Sequence, residues 1–260
     1  MQRHDVNVVP VFEAGLNLAA GVDAQLTKAM NSPTVVTQER HSDGVLLVTM
    51  DDGRANAVSH ALIAELSAIV DEANRDETVR ALVIAGRPGR FSAGFDLSVI
   101  NSGDAGAVAE LVAAGGQLMH DIYASSVPVV AACTGHAVAA GALLILACDY
   151  RVGPDADIKI GLNESAIGMA LPGWAVALAA DRLSRRHLQH CAALAALCDG
   201  RGAVDAGFLD VAVEPVRVLE VAMDEAARVA RFDRKAYATT TRRLRRTTLD
   251  AMAADVELSH

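Results

Sequence analysis

Residues 129–152 read VVAACTGHAVAAGALLILACDYRV, and this stretch decides the fold. Pro128 opens it, and 129–133 is short, apolar and partly β-branched, which predicts a strand buried on both faces. The small-residue run Gly135-His136-Ala137-Val138-Ala139-Ala140-Gly141-Ala142-Leu143 follows and leads into a helix over 141–147 that is apolar all round and therefore buried. Residues 150–152 return to strand before Gly153-Pro154. A strand, a helix and a second strand in so few residues predict a β/α crossover unit, the building block of an α/β fold.

Outwards from this stretch the alternation continues. Val45–Met50 is a strand candidate ended by Asp51-Asp52-Gly53. Ser59 is placed to cap a helix in which Leu62, Ile63, Leu66, Ile69, Val70 and Ala73 form one apolar stripe. Residues 79–85 form another buried strand, followed by the turn Gly86-Arg87-Pro88-Gly89, and a helix is expected over about 105–124. A short strand is expected at 158–160. Beyond Pro172 the pattern is almost wholly helical, with Ser184 as an N-cap and one β-like run at Val211–Val213.

Residues 1–33 look unlike the rest, with loose helical spacing of Leu16, Ala19, Ala20 and Leu26 and a break at Asn31-Ser32-Pro33. The reading divides the chain into an N-terminal extension (1–33), a core (34–200) and a C-terminal helical region (201–260). The composition shift makes Met30 a candidate natural start, with residues 1–29 an addition.

Composition narrows the class. The 260 residues are 52% hydrophobic, enough for a sizeable core, which excludes a disordered or fibrous protein. A net charge of −9 argues against a dedicated nucleic-acid binder. The one basic run, Arg242, Arg243, Arg245 and Arg246, reads as a solvated helix face or subunit contact, with an anionic ligand as the alternative. Cys133, Cys148, Cys191 and Cys198 form neither a CxxC pair nor a zinc spacing, so the expectation is reduced, structural thiols and no metal. There is no dinucleotide fingerprint, no apolar run long enough to span a bilayer and no signal-peptide core, and a cytoplasmic protein is expected.

Three segments carry chemistry. Arg90-Phe91-Ser92-Ala93-Gly94-Phe95-Asp96-Leu97 follows a predicted strand and turn, where small residues let backbone approach a ligand and an exposed N–H can donate to an oxyanion. Residues 135–143 place a helix N-terminus, with its unpaired N–H groups, beside a second possible donor. In Ile160-Gly161-Leu162-Asn163-Glu164, a carboxyl in apolar surroundings acquires a raised pKa, which suits a general base acting on carbon. Each segment alone also fits an ordinary turn, close helix packing or a structural glutamate.

Together these segments resemble the crotonase (enoyl-CoA hydratase/isomerase) superfamily, over about residues 35–231. Cys148-Asp149-Tyr150-Arg151-Val152 and Gly161-Leu162-Asn163-Glu164 are similar to the mitochondrial type of 3,2-enoyl-CoA isomerase. The resemblance implies a spiral of ββα units with a C-terminal helical trimerisation region, a homotrimer or dimer of trimers, and an acyl-CoA or enoyl-CoA thioester as substrate. Coenzyme A would be part of that substrate, with no separate cofactor.

Carried over by motif position, the oxyanion-hole amides fall on Phe95 and Ala140 and the catalytic carboxyl on Glu164. Ala93, Gly94, Asp96, Leu143 and Trp174 are the substrate-pocket candidates, with Asp96 expected to fix its own loop. Leu143 stands where hydratases of the family commonly carry a second glutamate, so the resemblance implies a 3,2-isomerase with a single base. The alternatives are an enoyl-CoA hydratase, or an acyl-CoA-binding member without activity. Asp149 is expected to be structural and His136 to be packed among small residues.

Overall fold

The computed structural model describes residues 34–258; the expectations for residues 1–33, including the start at Met30, lie outside the described residues. From Val35 onward the chain forms one compact unit. Its elements run β1 (Val36–Arg40), β2 (Val45–Met50), α1 (His60–Arg75), β3 (Ala81–Ala85), β4 (Gly89–Ser92), α2 (Leu97–Ile100), α3 (Ala105–Tyr123), β5 (Val129–Ala132), β6 (Gly135–Val138) and α4 (Ala140–Ala147). They continue with β7 (Tyr150–Pro154), β8 (Ile160–Gly161), a 3-10 turn (Glu164–Ile167), α5 (Gly173–Arg182), α6 (Arg185–Leu188), α7 (Gly200–Ala206), β9 (Val211–Val213), α8 (Val218–Val229) and α9 (Arg234–Leu258).

The strands sort into two sheets. The larger has the order β1-β2-β3-β5-β7-β9, antiparallel only between β1 and β2; the smaller has the order β4-β6-β8 and is parallel throughout. Each of β3, β5 and β7 hands the chain to the next strand in the small sheet, and each pair is followed by helix. The result is a spiral of ββα units, as the resemblance implies. The small sheet was not legible as such: residues 86–97 read as turns, yet 89–92 pair with 135–137.

Period-two alternation explains the uniformly apolar strands. Val45, Ala81, Val83, Ala85, Val130 and Ala132 point to one face of the large sheet, against Val218, Ala222, Ala226 and Val229 of α8. Leu46, Val48, Leu82, Ile84, Val129 and Ala131 point to the other face, against α1, α3 and α4. Both faces are covered, so every position is apolar. Ser59 caps α1 as expected, its side chain accepting from Leu62 N–H, and the predicted stripe is the buried one. Ser184 precedes α6, but its backbone carbonyl, not its hydroxyl, takes the N–H groups of His187 and Leu188.

Helix α9 packs on α5 and α3, and its buried stripe is Arg245, Leu249, Met252 and Val256. This corrects the reading of the arginine cluster. Arg242, Arg243 and Arg246 are exposed, but Arg245 is 6% exposed while its neighbour Leu244 is 80% exposed. Arg245 donates to Asp149 Oδ1 (2.5 Å) and to the Tyr123 carbonyl (2.8 Å), with its guanidinium 4.2 Å from the Tyr123 ring centre. Asp149 Oδ2 also accepts from Tyr237 O–H (2.8 Å) and Val129 N–H (2.7 Å). Asp149 is therefore structural, tying α9 to the start of β5.

Candidate active site

The first amide loop is held by a segment that sequence reasoning missed. Asn56 is buried at φ +50°, a conformation asparagine tolerates better than most residues. Its amide donates to the carbonyls of Met50 (2.9 Å) and Phe91 (3.1 Å), and its own carbonyl accepts from Ser92 O–H (2.7 Å). Backbone bonds from Ala93 N–H to the Ala55 carbonyl and from Val58 N–H to the Gly94 carbonyl complete the clamp. Asp52 anchors it: burial alone would raise its pKa, yet the N–H groups of Asn56, Arg54 and Ala57 hold the carboxyl below its ordinary value. The available signal was the Asp-x-x-x-Asn spacing after the β2 turn.

Gly94, at φ +92°, brings this loop against the second one. A methyl group on it would lie 2.9 Å from Ala139 Cβ and 3.5 Å from Ala140 N. Ala139 takes φ +50°, ψ −126°, a strained conformation for a residue with a Cβ. Its N–H donates to the Gly161 carbonyl, and its own carbonyl accepts from Ala142 and Leu143 to start α4. Among the described residues no acceptor meets the N–H of Phe95 or of Ala140. Two free amides on touching loops have the form of an oxyanion hole.

Gly141 makes the close approach possible. A Cβ there would sit 2.5 Å from the Ser92 carbonyl oxygen and 2.8 Å from Ser92 Cβ. Gly141→Ala is expected to push the two loops apart, lowering stability by about 1–3 kcal/mol, to be read by urea denaturation alongside a fall in kcat.

Glu164 opens the 3-10 turn after β8, its carbonyl accepting from Met169 N–H (3.0 Å). It is 7% exposed, and no hydrogen-bond partner reaches its Oε2. Burial raises its pKa above the ordinary carboxyl value, opposed by its own backbone N–H. Glu164 lines a cavity of about 620 Å³ with Phe95, Leu143, Val108, Val112 and Met169. Asp104 also lies on its wall, but that residue is exposed and its Oδ1 caps α3 through Gly106 and Ala107 N–H. Leu143, one turn on from Ala140, brings no polar group.

Other expected site residues fall elsewhere. Trp174 is not on the cavity wall: it is fully buried with its indole against Gly116 of α3, so it belongs to the core. Asp96 caps α2, accepting from Ser98 N–H and O–H, and fixes the loop without lining the cavity. Ala93 lies on a second cavity of about 300 Å³ with Arg90, His136 and Lys159. His136 is half-buried there, not packed in the core, and its Nδ1 accepts from Lys159 N–H (2.9 Å). All four cysteines are free thiols, and burial pushes Cys133 and Cys148 up to about 12. Among the described residues no three His, Cys, Asp or Glu side chains form a group that would hold a metal ion, and no helix is long and apolar enough to cross a membrane.

The fold, a spiral of ββα units with a C-terminal helical region, is that of a crotonase-type enzyme. The family model described as enoyl-CoA hydratase/isomerase matches residues 40–260, and the chain belongs to that family. It is 25% identical to the mitochondrial enoyl-CoA delta isomerase 1 of Rattus norvegicus, over 78% of this chain and 71% of that one. It is 33% identical to a probable enoyl-CoA hydratase of Bacillus subtilis, over 72% of each chain. Among solved structures, an Mtb enoyl-CoA isomerase in its apo form superposes with a TM-score of 0.82 at 35% identity, covering 87% of this chain and 97% of that one.

Proposed function

We propose that the chain is a 3,2-enoyl-CoA isomerase with Glu164 as its single base. The observation that supports this is a buried carboxyl, with one oxygen unpaired, on a cavity wall where Leu143 occupies the position of a second carboxyl. In the reaction the C2–H bond of a 3-enoyl thioester breaks and Glu164 takes the proton. The C3–C4 double bond then shifts to C2–C3 as the same carboxyl returns the proton to C4. Both carbons lie on one face of the allylic system, so one base serves both. The negative charge gathers on the thioester oxygen, where the N–H groups of Phe95 and Ala140 would hold it. Removing one such donor typically costs roughly 3–4 kcal/mol of barrier.

Two features favour isomerisation over hydration. Leu143 has no group to orient water, and the wall of Ile100, Val108, Val112, Leu143, Met169 and Pro172 is apolar. Coenzyme A enters as part of the substrate, and Arg90, His136 and Lys159 around the smaller cavity suit its phosphates. The hydratase reading rests on the Bacillus relative and requires a second water-holding group besides Glu164.

The pH dependence tests the assignment. The base must be ionised to act, so kcat/KM for a 3-enoyl-CoA is expected to rise with pH through a single limb. Its midpoint should lie above 4.5, the ordinary value, because burial disfavours the charged carboxyl. A profile flat down to the ordinary carboxyl range would remove Glu164 from the role.

A further inference from the structure

Helix α3 carries two consecutive glycines, Gly115 and Gly116, in mid-helix, where glycine is among the least favourable residues. Each seats an aromatic ring. A Cβ on Gly116 would lie 2.8 Å from Trp174 Nε1, which is core packing. A Cβ on Gly115 would lie 2.5 Å from Cε1 and 2.6 Å from Cζ of Phe95, the residue whose backbone faces the chemistry. Val108, Val112 and Gly115 follow one another at helical spacing along the same face. Val108 and Val112 line the large cavity, whereas at the third position the wall is the Phe95 ring lying over Gly115.

We infer that the Phe95 side chain, seated in the space left by Gly115, is the wall that limits the length and bulk of the acyl chain, making this pair specificity-determining. The inference rests on the reading that the large cavity takes the acyl chain of a CoA thioester. The atoms that would collide with an alanine at 115 are the far end of a side chain, so Gly115→Ala moves the ring into the cavity and leaves the helix backbone in place. Phe95→Ala does the reverse: it keeps the amide but opens the cavity onto α3.

The test measures Kd for saturated hexanoyl-CoA and dodecanoyl-CoA with the full chain, so that it reads the pocket whether or not the chemistry is isomerisation. Gly115→Ala is expected to weaken dodecanoyl-CoA relative to hexanoyl-CoA by about tenfold or more, and Phe95→Ala to shift that ratio the other way. The double variant should follow Phe95→Ala, since no ring remains to be displaced. Gly116→Ala is the control: it disturbs Trp174 and stability without moving the ratio. A ratio unchanged in both single variants overturns the inference, as does equal movement in Gly116→Ala. Binding shifts without isomerase turnover would leave the inference standing and defeat the isomerase reading, and absence of any acyl-CoA binding would defeat both.

Discussion

Replacing Glu164 with Gln is expected to lower kcat for 3-hexenoyl-CoA by about 10²–10⁴-fold with little change in KM, measured by steady-state turnover. The amide keeps the shape of the side chain but cannot take the C2 proton. The same variant should be more stable at neutral pH. Burial raises the folded-state pKa of Glu164 above its unfolded value, so the stability linked to this group is fully present below the unfolded pKa and is lost as pH rises through the folded one. At neutral pH the wild-type protein therefore holds an unfavourable buried charge that Gln removes. Melting curves should show a higher Tm for Glu164→Gln near pH 7, with the gain disappearing near pH 4.

Arg245→Ala is expected to be the most destabilising single change on α9, by about 3–5 kcal/mol. The side chains of Arg245 and Asp149 are only 7% and 18% exposed, and the guanidinium also covers the Tyr123 ring. Removing it leaves the Asp149 carboxylate without its cation between α9 and the start of β5. For a chain of this size the loss corresponds to a fall of roughly 10 °C in Tm. Arg246→Ala, on the exposed side of the same helix, should stay within about 0.5 kcal/mol. Equal effects from the two would contradict the structural role given to Arg245.

These two residues also show what the sequence made legible. Glu164 was readable because the segment around it is short, apolar and punctuated by glycine, and because it stands in a matched motif. Arg245 was not, since a run of four arginines around one leucine points the apolar residue inward, whereas tertiary pairing with Asp149 turned the helix the other way. Five strands of the large sheet could be read from their apolar runs, whereas β1, polar and exposed beyond Val36, could not. Of the small sheet only β8 was foreshadowed, by the strand expected at 158–160; β4 and β6 contain glycine, arginine and histidine and read as loops. Trp174 followed Pro172-Gly173 in a place that suits a pocket wall, and only the packing against Gly116 assigns it to the core. Asn56 escaped because the Asp-x-x-x-Asn spacing marks only a turn, whereas its role depends on the Phe91 carbonyl, 35 residues away in sequence.

The most direct test of the single-base account is turnover of 3-hexenoyl-CoA and crotonyl-CoA side by side by the purified protein. The account predicts rapid, Glu164-dependent conversion of the 3-enoyl thioester to the 2-enoyl thioester with little hydration of crotonyl-CoA. Efficient hydration of crotonyl-CoA with slow isomerisation would contradict it, and would mean that another group holds water where Leu143 stands.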